Sequence, residues 1–463
     1  MSVTDLTAPA EPSPGRSPEL SSELSPRVRH LLAAARAAFI AQGYGGVSID
    51  ALARDAGVSK ETIYRHFADK QALFRAALDD LAAEFAARTA ALHAAAPSPG
   101  AELAGLARAV LDAALEGGLL SPFQLAAGVA GTMPAFAEEL QALQWVRMEP
   151  VRRVLEGHVR QHASGGRRPA AAVPLSLALD FGSLAVGGPA LLLGFPPLAV
   201  AERDRHAARV ATLFGEGVLA WRGRTVRDGA VASPQPAPQP APRPAPQPAP
   251  MPATSPAKAA PHIRALLDVA ARHFLTVGYE GASLLEIGSQ ARVGRGTLYR
   301  HFSSKAGLFA AVMDDLAGAV AAAARVPRLP APGADEAALV DGLTDFVAAA
   351  LETLGGDRSL ALHRAAMAAA PRDPALARAV HDAVRAPWRA ELEPWLAALV
   401  GPDEAGWAAG ALLVLAVQGN RLVIAGRVLT ASEATAHARR MARLFLLGYA
   451  RAMAAESIDG AQV

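Results

Sequence analysis

The sequence predicts an all-α protein that contains the same domain twice. Alanine-rich segments with apolar residues three and four positions apart lie on both sides of a proline-rich stretch, which is the pattern of amphipathic helices. No segment shows the sustained apolar–polar alternation of a half-buried strand. A third observation is an internal repeat, because Thr62–Phe67 recurs at Thr297–Phe302 with one exchange, Ile63 for Leu298.

The repeat extends well beyond these six residues. It runs from Phe39 and Phe274 to Leu81 and Leu316 at a constant offset of 235 residues (from 39 to 274). Solenoid repeats have periods of roughly 20–50 residues. The repeated unit is therefore a whole domain, and a chain of 463 residues is long enough to bury a core in each copy.

A linker separates the two copies. The stretch from Ala232 to Pro261 holds 12 prolines in 30 residues, which predicts an extended polyproline-type spacer. A ligand for an aromatic-groove domain is the alternative. The predicted boundaries are a disordered arm over 1–25, a head over 26–85, a body over 86–225, the linker over 226–260, a second head over 261–320, a second body over 321–456 and a tail over 457–463.

Composition narrows the classes of function. Cysteine is absent, which excludes disulfides and thiolate metal sites and fits a cytoplasmic protein. Catalytic and phosphate-loop motifs are absent too, and the histidines lack metal-ligand spacing. We therefore predict no enzyme activity, no cofactor and no metal. The uncharged stretch over 181–200 predicts a buried helix plus a turn, with a membrane span as the alternative.

Each head contains a helix-turn-helix pattern. In the first, Arg27–Gln42 predicts a helix that stops at Gly43, Ser48 and Ser59 are placed to cap two short helices, and Gly57 is placed in the turn between them. On the second short helix Ile63 and Phe67 are predicted to face the core. The outward face then carries Lys60, Glu61, Tyr64 and Arg65, which suits DNA in the major groove or, as the alternative, a solvated surface.

These motifs resemble the DNA-binding head of the TetR family of transcriptional regulators. The resemblance implies a three-helix head, a helical effector-binding body, and pairing through the last two helices of the body. It implies that Tyr64, His66, Lys70, Tyr299, His301 and Lys305 contact phosphates and that Lys60, Glu61, Thr62, Arg295, Gly296 and Thr297 contact bases. The other candidate DNA-binding residues are Ser48, Ser59, Arg65, Ser283, Arg292 and Arg300. His66 and His301 can instead be packing residues.

The second head departs from the family pattern at two positions. Arg292 replaces the turn glycine and Gly294 replaces the capping serine, at a cost of ~1 kcal/mol each. Ser283 and Glu286 are spaced as a capping box, which the first head lacks. We expect head 2 to bind DNA with a base preference different from that of head 1. The alternative is a decayed copy of the domain that has only a structural role.

The bodies are predicted to supply the pairing helices and the effector pocket. The segments 207–214 and 438–445 match each other, and each is predicted to precede a small-residue helix with Gly217 or Gly448. Before them lie the apolar segments over 175–193 and 407–417, which can be interface, core or both, since such interfaces resemble a core cut in half. The pocket candidates, each of which can also be core, are Phe123, Met133, Phe136, Trp145 and Met148 in body 1 and Phe346, His363, Met367, Trp388 and Trp395 in body 2.

Together these features predict a sequence-specific regulator of transcription, acting on double-stranded DNA and released by a small apolar effector. Body 1 is expected to pair with body 2 within one chain, and a homodimer with four heads is the alternative. A helical scaffold whose heads bind protein remains a second hypothesis for the function.

Overall fold

In the computed structural model every regular element of the described residues is helical. The described residues are 26–77, 79–80, 99–116, 148, 151–157, 173–188, 190–219, 261–417 and 429–448. The predicted all-α class is confirmed. The predicted arm over 1–25, the tail over 457–463 and nearly all of the linker lie outside these residues.

The first copy contains eight described helices. In head 1 they are α1 (Pro26–Gly46), α2 (Ile49–Asp55), α3 (Lys60–His66) and α4 (70–77). In body 1 they are α5 (Pro99–Glu116), α6 (151–157), α7 (Leu175–Ala185) and α8 (Val200–Glu216), with a 3-10 turn at Leu191–Leu193. The stretch over 181–200 is thus the end of a buried helix followed by a turn, as the first of the two hypotheses stated.

The second copy contains nine described helices. In head 2 they are α9 (Pro261–Gly281), α10 (Leu284–Gln290), α11 (Arg295–His301) and α12 (Lys305–Ala323). In body 2 they are α13 (Glu336–Leu354), α14 (Asp357–Ala369), α15 (Pro374–Val400), α16 (Pro402–Ala416) and α17 (Ala431–Leu447). By length and composition α12 could cross a membrane. It buries seven apolar residues in the core of the described structure, namely Leu308, Phe309, Val312, Met313, Leu316, Ala317 and Val320.

The glycines that follow the first helix of each head behave differently. Gly278 has a φ of 73° and breaks the helical path, although helical turns resume beyond it to Gly281. In head 1 the predicted stop at Gly43 is wrong, because α1 continues to Gly46. Glycine permits the positive φ that ends a helix but does not impose it.

The hydrophobic cores of the two heads are connected differently. Among the described residues, head 1 has its own cluster around Leu31, Phe39, Ile63 and Phe74. The core of head 2 is continuous with body 2, and that cluster extends into body 1. Helix α14 of body 2 packs against both α9 and α12, which ties head 2 closely to its body.

Candidate nucleic-acid interface and the paired bodies

The helix-turn-helix of head 1 is built by local interactions. Gly57 has a φ of 63°, which lets the chain turn sharply between α2 and α3. Ser59 caps α3, since its Oγ accepts a hydrogen bond from the Thr62 amide at 3.0 Å. The predicted side-chain cap by Ser48 is wrong: α2 begins there, but the Ser48 hydroxyl makes no capping bond, and only its carbonyl accepts from Leu52.

Helix α3 presents the outward face that the sequence predicts. Ile63 is buried, Phe67 is half-buried against the same core, and Tyr64 is 45% exposed. The other predicted contact residues divide into two groups: Lys60, Glu61, Arg65 and His66 are exposed, and Thr62 and Lys70 are half-buried. Helix α11 repeats the arrangement, with Leu298 buried, Thr297 half-buried, and Arg295, Gly296, Tyr299 and Arg300 exposed.

The histidines at the ends of these helices are surface residues. His66 and His301 are both exposed, so the packing role left open for them is wrong. The His301 ring lies 6.1 Å from the ring of His262, and the His66 ring lies 6.4 Å from that of Phe67. Exposure leaves both imidazoles available to an external hydrogen-bond acceptor such as a phosphate.

Helices α3 and α11 differ in their electrostatic surroundings. Lys60 forms an ion pair with Asp50 at 3.0 Å, and this hydrogen bond raises the pKa of Lys60. The residue of head 2 that matches Asp50 is Leu285, which is 64% exposed. Arg295 lies instead over the ring of Tyr299, 5.7 Å from its centroid. The contribution of Asp50 was missed at the sequence level, although its spacing from Lys60 was visible.

Helices α4 and α12, which follow α3 and α11, each begin with a lysine and have a side-chain cap at the N-terminus. Asp69 accepts from the Ala72 amide at 2.7 Å, and Ser304 accepts from the Gly307 amide at 3.1 Å. Burial lowers the pKa of Lys70. Lys305 lies 4.9 Å from the ring centroid of Tyr279. The two lysines thus occupy matching positions with different neighbours.

The departures of head 2 have the predicted backbone effects. Arg292 has a φ of 53° and is the one non-glycine residue with positive φ in the described part of the chain. Gly294 begins α11 without a side-chain cap. The predicted capping box is only half formed: Ser283 accepts from the Glu286 amide at 3.5 Å, and the Glu286 carboxylate makes no return bond to Ser283.

The two bodies meet through matching helices. Helix α7 contacts α16 and α8 contacts α17, and each pair is related by an offset of 231 residues (from 200 to 431 for α8 and α17). Just after the ends of α8 and α17, the two backbone segments of this one chain cross at Gly217 and Gly448. A Cβ atom on either glycine would overlap backbone atoms of the opposite helix end, so two glycines are required for this approach.

The contact is asymmetric in its polar groups. Arg209 of α8 forms an ion pair with Glu404: its Nη2 donates a hydrogen bond to Oε1 at 2.7 Å, and its Nε lies 2.7 Å from Oε2. The Arg209 guanidinium also lies 5.9 Å from the Trp407 ring centroid. The Trp407 indole donates to His206 Nδ1 at 3.1 Å. His206 Nε2 donates to the Ala185 carbonyl at 2.9 Å, and burial lowers the pKa of this imidazole.

Body 1 cannot repeat these contacts toward body 2, because its equivalent positions carry different residues. At the offset of 231, Val173 is the equivalent of Glu404 and Ser176 is the equivalent of Trp407 (from 173 to 404 and from 176 to 407). Arg440, the counterpart of Arg209, instead donates to His437 of its own body at 3.2 Å. None of these polar residues was singled out from the sequence, because only folding brings them together.

The predicted pocket residues are mostly core in the described structure. Phe346, His363, Met367 and Trp388 are buried, and Trp395 donates to the Pro330 carbonyl at 2.7 Å. In body 1, Met148 is buried next to Gly182, and the predicted residues Phe123, Met133, Phe136 and Trp145 lie outside the described residues. An open cavity of about 640 Å³ lies elsewhere in body 2, lined by Ala348, Ala349, Leu351, Glu352, Gly355, Gly356, Asp357, Leu429, Ala431, Ala434 and Thr435.

Two helix-turn-helix heads on paired helical bodies define a tandem DNA-binding regulator of transcription. Residues 31–77 and 266–312 both match the family described as bacterial regulatory proteins, tetR family, and residues 341–451 match the C-terminal domain of AefR-like transcriptional repressors. The chain belongs to the TetR family, and it carries the family's DNA-binding domain twice.

Parts of the chain are also similar to two known proteins. The A-factor receptor protein of Streptomyces griseus is 36% identical over 83 residues, which is 18% of this chain and 28% of that protein. The chain thus spans under a third of that curated relative. A solved TetR-family transcriptional regulator of Mesorhizobium loti is 22% identical and matches 42% of this chain and 96% of its own, with a TM-score of 0.33.

Proposed function

We propose that this chain represses transcription in the cytoplasm as a single-chain pseudo-dimer, and that a small apolar effector releases it from its operator. Body 1 pairs with body 2 of the same chain and sets two unlike heads on one DNA duplex. The observation that carries the proposal is the asymmetric contact of Arg209 with Glu404 and Trp407. Two copies of body 1 would place Val173 opposite Arg209 and lose that ion pair.

The unlike heads give this pairing a consequence for the operator. Homodimeric helix-turn-helix proteins bind palindromes with two identical half-sites. Here Lys60 and Glu61 in one head correspond to Arg295 and Gly296 in the other. The operator is therefore an imperfect palindrome whose half-sites differ at the bases these residues reach.

The phosphate contacts are tested by two matched double variants. Tyr64→Ala with Lys70→Ala in head 1, and Tyr299→Ala with Lys305→Ala in head 2, should each weaken binding to every duplex and reduce the salt dependence of affinity. Fluorescence anisotropy over a range of salt concentrations measures both effects. Wild-type affinity and salt dependence in either variant would show that the assignment is wrong for that head, and in head 2 would favour a decayed copy.

The pairing is tested by mass and by footprint. Sedimentation at micromolar concentration should give the mass of one chain, 47.7 kDa, because linkage makes pairing intramolecular. Twice that mass would support the homodimer with four heads. A selection from random duplexes should return two unlike half-sites, and exchanging Lys60-Glu61 for Arg-Gly should make them more alike. No binding to any duplex at low salt would favour the protein-binding scaffold.

A further inference from the structure

A cluster of buried polar groups in body 2 takes no part in DNA binding or in the pairing contacts above. At its centre is Arg385 on α15, only 6% exposed and without an ion pair to any described carboxylate. Its Nη1 donates to His363 Nε2 at 2.9 Å, and His363 Nδ1 donates to the Ser359 carbonyl at 2.9 Å. Both ring nitrogens of His363 are thus used by the neutral imidazole.

The charges in the cluster are unbalanced. Burial and the neighbouring Arg385 lower the pKa of His363 to about 3, so this imidazole is neutral at physiological pH. Burial lowers the pKa of Arg385 to about 10, which still leaves the guanidinium protonated. Asp382, three residues earlier on α15, is exposed and acts on Arg385 only through its distant charge. A desolvated cation with no counter-ion is strongly unfavourable.

Three more buried polar atoms around Arg385 lack hydrogen-bond partners in the described structure. They are Ser359 Oγ, His381 Nδ1 and Trp388 Nε1. The His381 and His363 rings lie 6.3 Å apart, and Trp388 packs edge-on against Phe346 at 5.3 Å. Buried polar atoms are nearly always paired in folded proteins. A hydroxyl, an imidazole nitrogen and an indole N–H are thus left unpaired in the same part of the body 2 core as the Arg385 cation.

We infer that this cluster, centred on Arg385, binds the carboxylate head of an apolar monocarboxylic effector. One guanidinium balances one negative charge, and its planar fork matches a carboxylate. Ser359 and Trp388 supply neutral donors, while Phe346 and Met367 supply the apolar surroundings for the rest of the ligand. The inference rests on the proposed release by an effector and adds the chemical class of that effector.

The cluster lies between head 2 and body 1. Ser359 and His363 belong to α14, which packs on α9 and α12 of head 2. His381 lies 5.3 Å from the ring of Phe195 in body 1, and Arg378 donates to the Gly194 carbonyl there. A ligand that shifts α14 or α15 therefore acts on head 2 and on the contact between the bodies.

Thermal unfolding of the full chain tests the chemical class. The probes are hexanoate, decanoate and 3-phenylpropanoate, each compared with its primary amide. A carboxylate present at a concentration of about a hundred times its Kd should raise the Tm of the chain by about 5 °C, and the matching amide should not. Equal shifts with acid and amide, or no shift with any of the three acids, would overturn the inference.

Variants of the same helix locate the site. Arg385→Met should abolish the carboxylate shift and melt at or above the wild-type temperature, because it removes an uncompensated buried cation. The control Arg389→Met removes a 43% exposed arginine that pairs with Glu393 and whose charge also acts on Arg385. It should keep the carboxylate shift, because Arg385 remains in place. If Arg385→Met does not fold, Arg385→Lys serves, with an expected tenfold loss of carboxylate affinity because the fork is lost.

The two proposals fail separately. A carboxylate shift that persists unchanged in both Arg385 variants would place the ligand elsewhere and overturn this inference alone. Operator affinity of the ligand-free chain, measured by anisotropy, tests the proposed function without any probe. If the wild-type chain bound no operator, the DNA-binding proposal would be refuted, and the thermal result on Arg385 could still be interpreted.

Discussion

The crossing of the two bodies at Gly217 should be intolerant of any side chain. Gly217 has a φ of 73° and a ψ of 168°, a conformation that L-residues hardly adopt, at a cost of about 1–3 kcal/mol. A Cβ there would also overlap Leu446 and Gly448 backbone atoms, which cannot rotate aside as a side chain can. Gly217→Ala should therefore lower the free energy of unfolding by about 2–4 kcal/mol.

Urea unfolding of the full chain, followed by circular dichroism, measures this change. The matched control is Gly105→Ala, since Gly105 is exposed within α5 and has open space at its Cβ position. That variant should gain about 0.5–1 kcal/mol from helix propensity. Gly448→Ala should resemble Gly217→Ala, and the double variant should cost less than the sum because both changes disrupt one contact.

One result would refute this reasoning. If Gly217→Ala unfolds within about 0.5 kcal/mol of the wild type while Gly105→Ala shows its gain, the assay is sensitive and the close approach is absent. The pairing of α8 with α17 through their ends would then be wrong. The intramolecular pseudo-dimer would lose its strongest steric support.

Three further predictions concern single groups. A double-mutant cycle of Arg209→Ala and Glu404→Ala, read by urea unfolding, should give a coupling of about 1 kcal/mol, because the side chains are 24% and 30% exposed; zero coupling would contradict the pairing. Arg292→Gly should stabilise the chain by about 1 kcal/mol in the same assay, by relieving positive φ, and a loss of stability would contradict the strain. His363, with a pKa of about 3, should contribute stability that is complete above pH 6.5 and falls by about 2 kcal/mol from pH 7 to pH 5, a slope that His363→Gln should reduce.

Much of each head could be predicted because its determinants are local. A turn glycine, a capping serine and apolar residues four apart act within a few residues of one another, so Gly57, Ser59 and Ile63 were assigned correctly. The same local rules failed where they overstate what a residue type imposes. Ser48 makes no side-chain cap and Gly43 does not end its helix.

The predicted pocket shows where residue type alone is insufficient. Most of the predicted pocket residues are apolar, and Phe346 and Trp388 are indeed buried. Arg385 and His381 were missed because charged side chains are normally exposed. A signal was present, since His381, Arg385 and Trp388 share one helical face with the buried Val384. Only burial in the fold shows that the Arg385 cation has no counter-ion among the described carboxylates.

The sequence by itself determined the class of fold, the duplication and the two helix-turn-helix motifs. Only the tertiary structure decided which surfaces meet, because those contacts join residues far apart in the chain. Arg209 and Glu404 are 195 positions apart, and Gly217 and Gly448 stand opposite each other only after both bodies have folded. Periodicity reports on a helix and its neighbouring turns. The partner of a half-buried arginine such as Arg209, or the need for a glycine where two backbones cross, depends on packing that no local pattern contains.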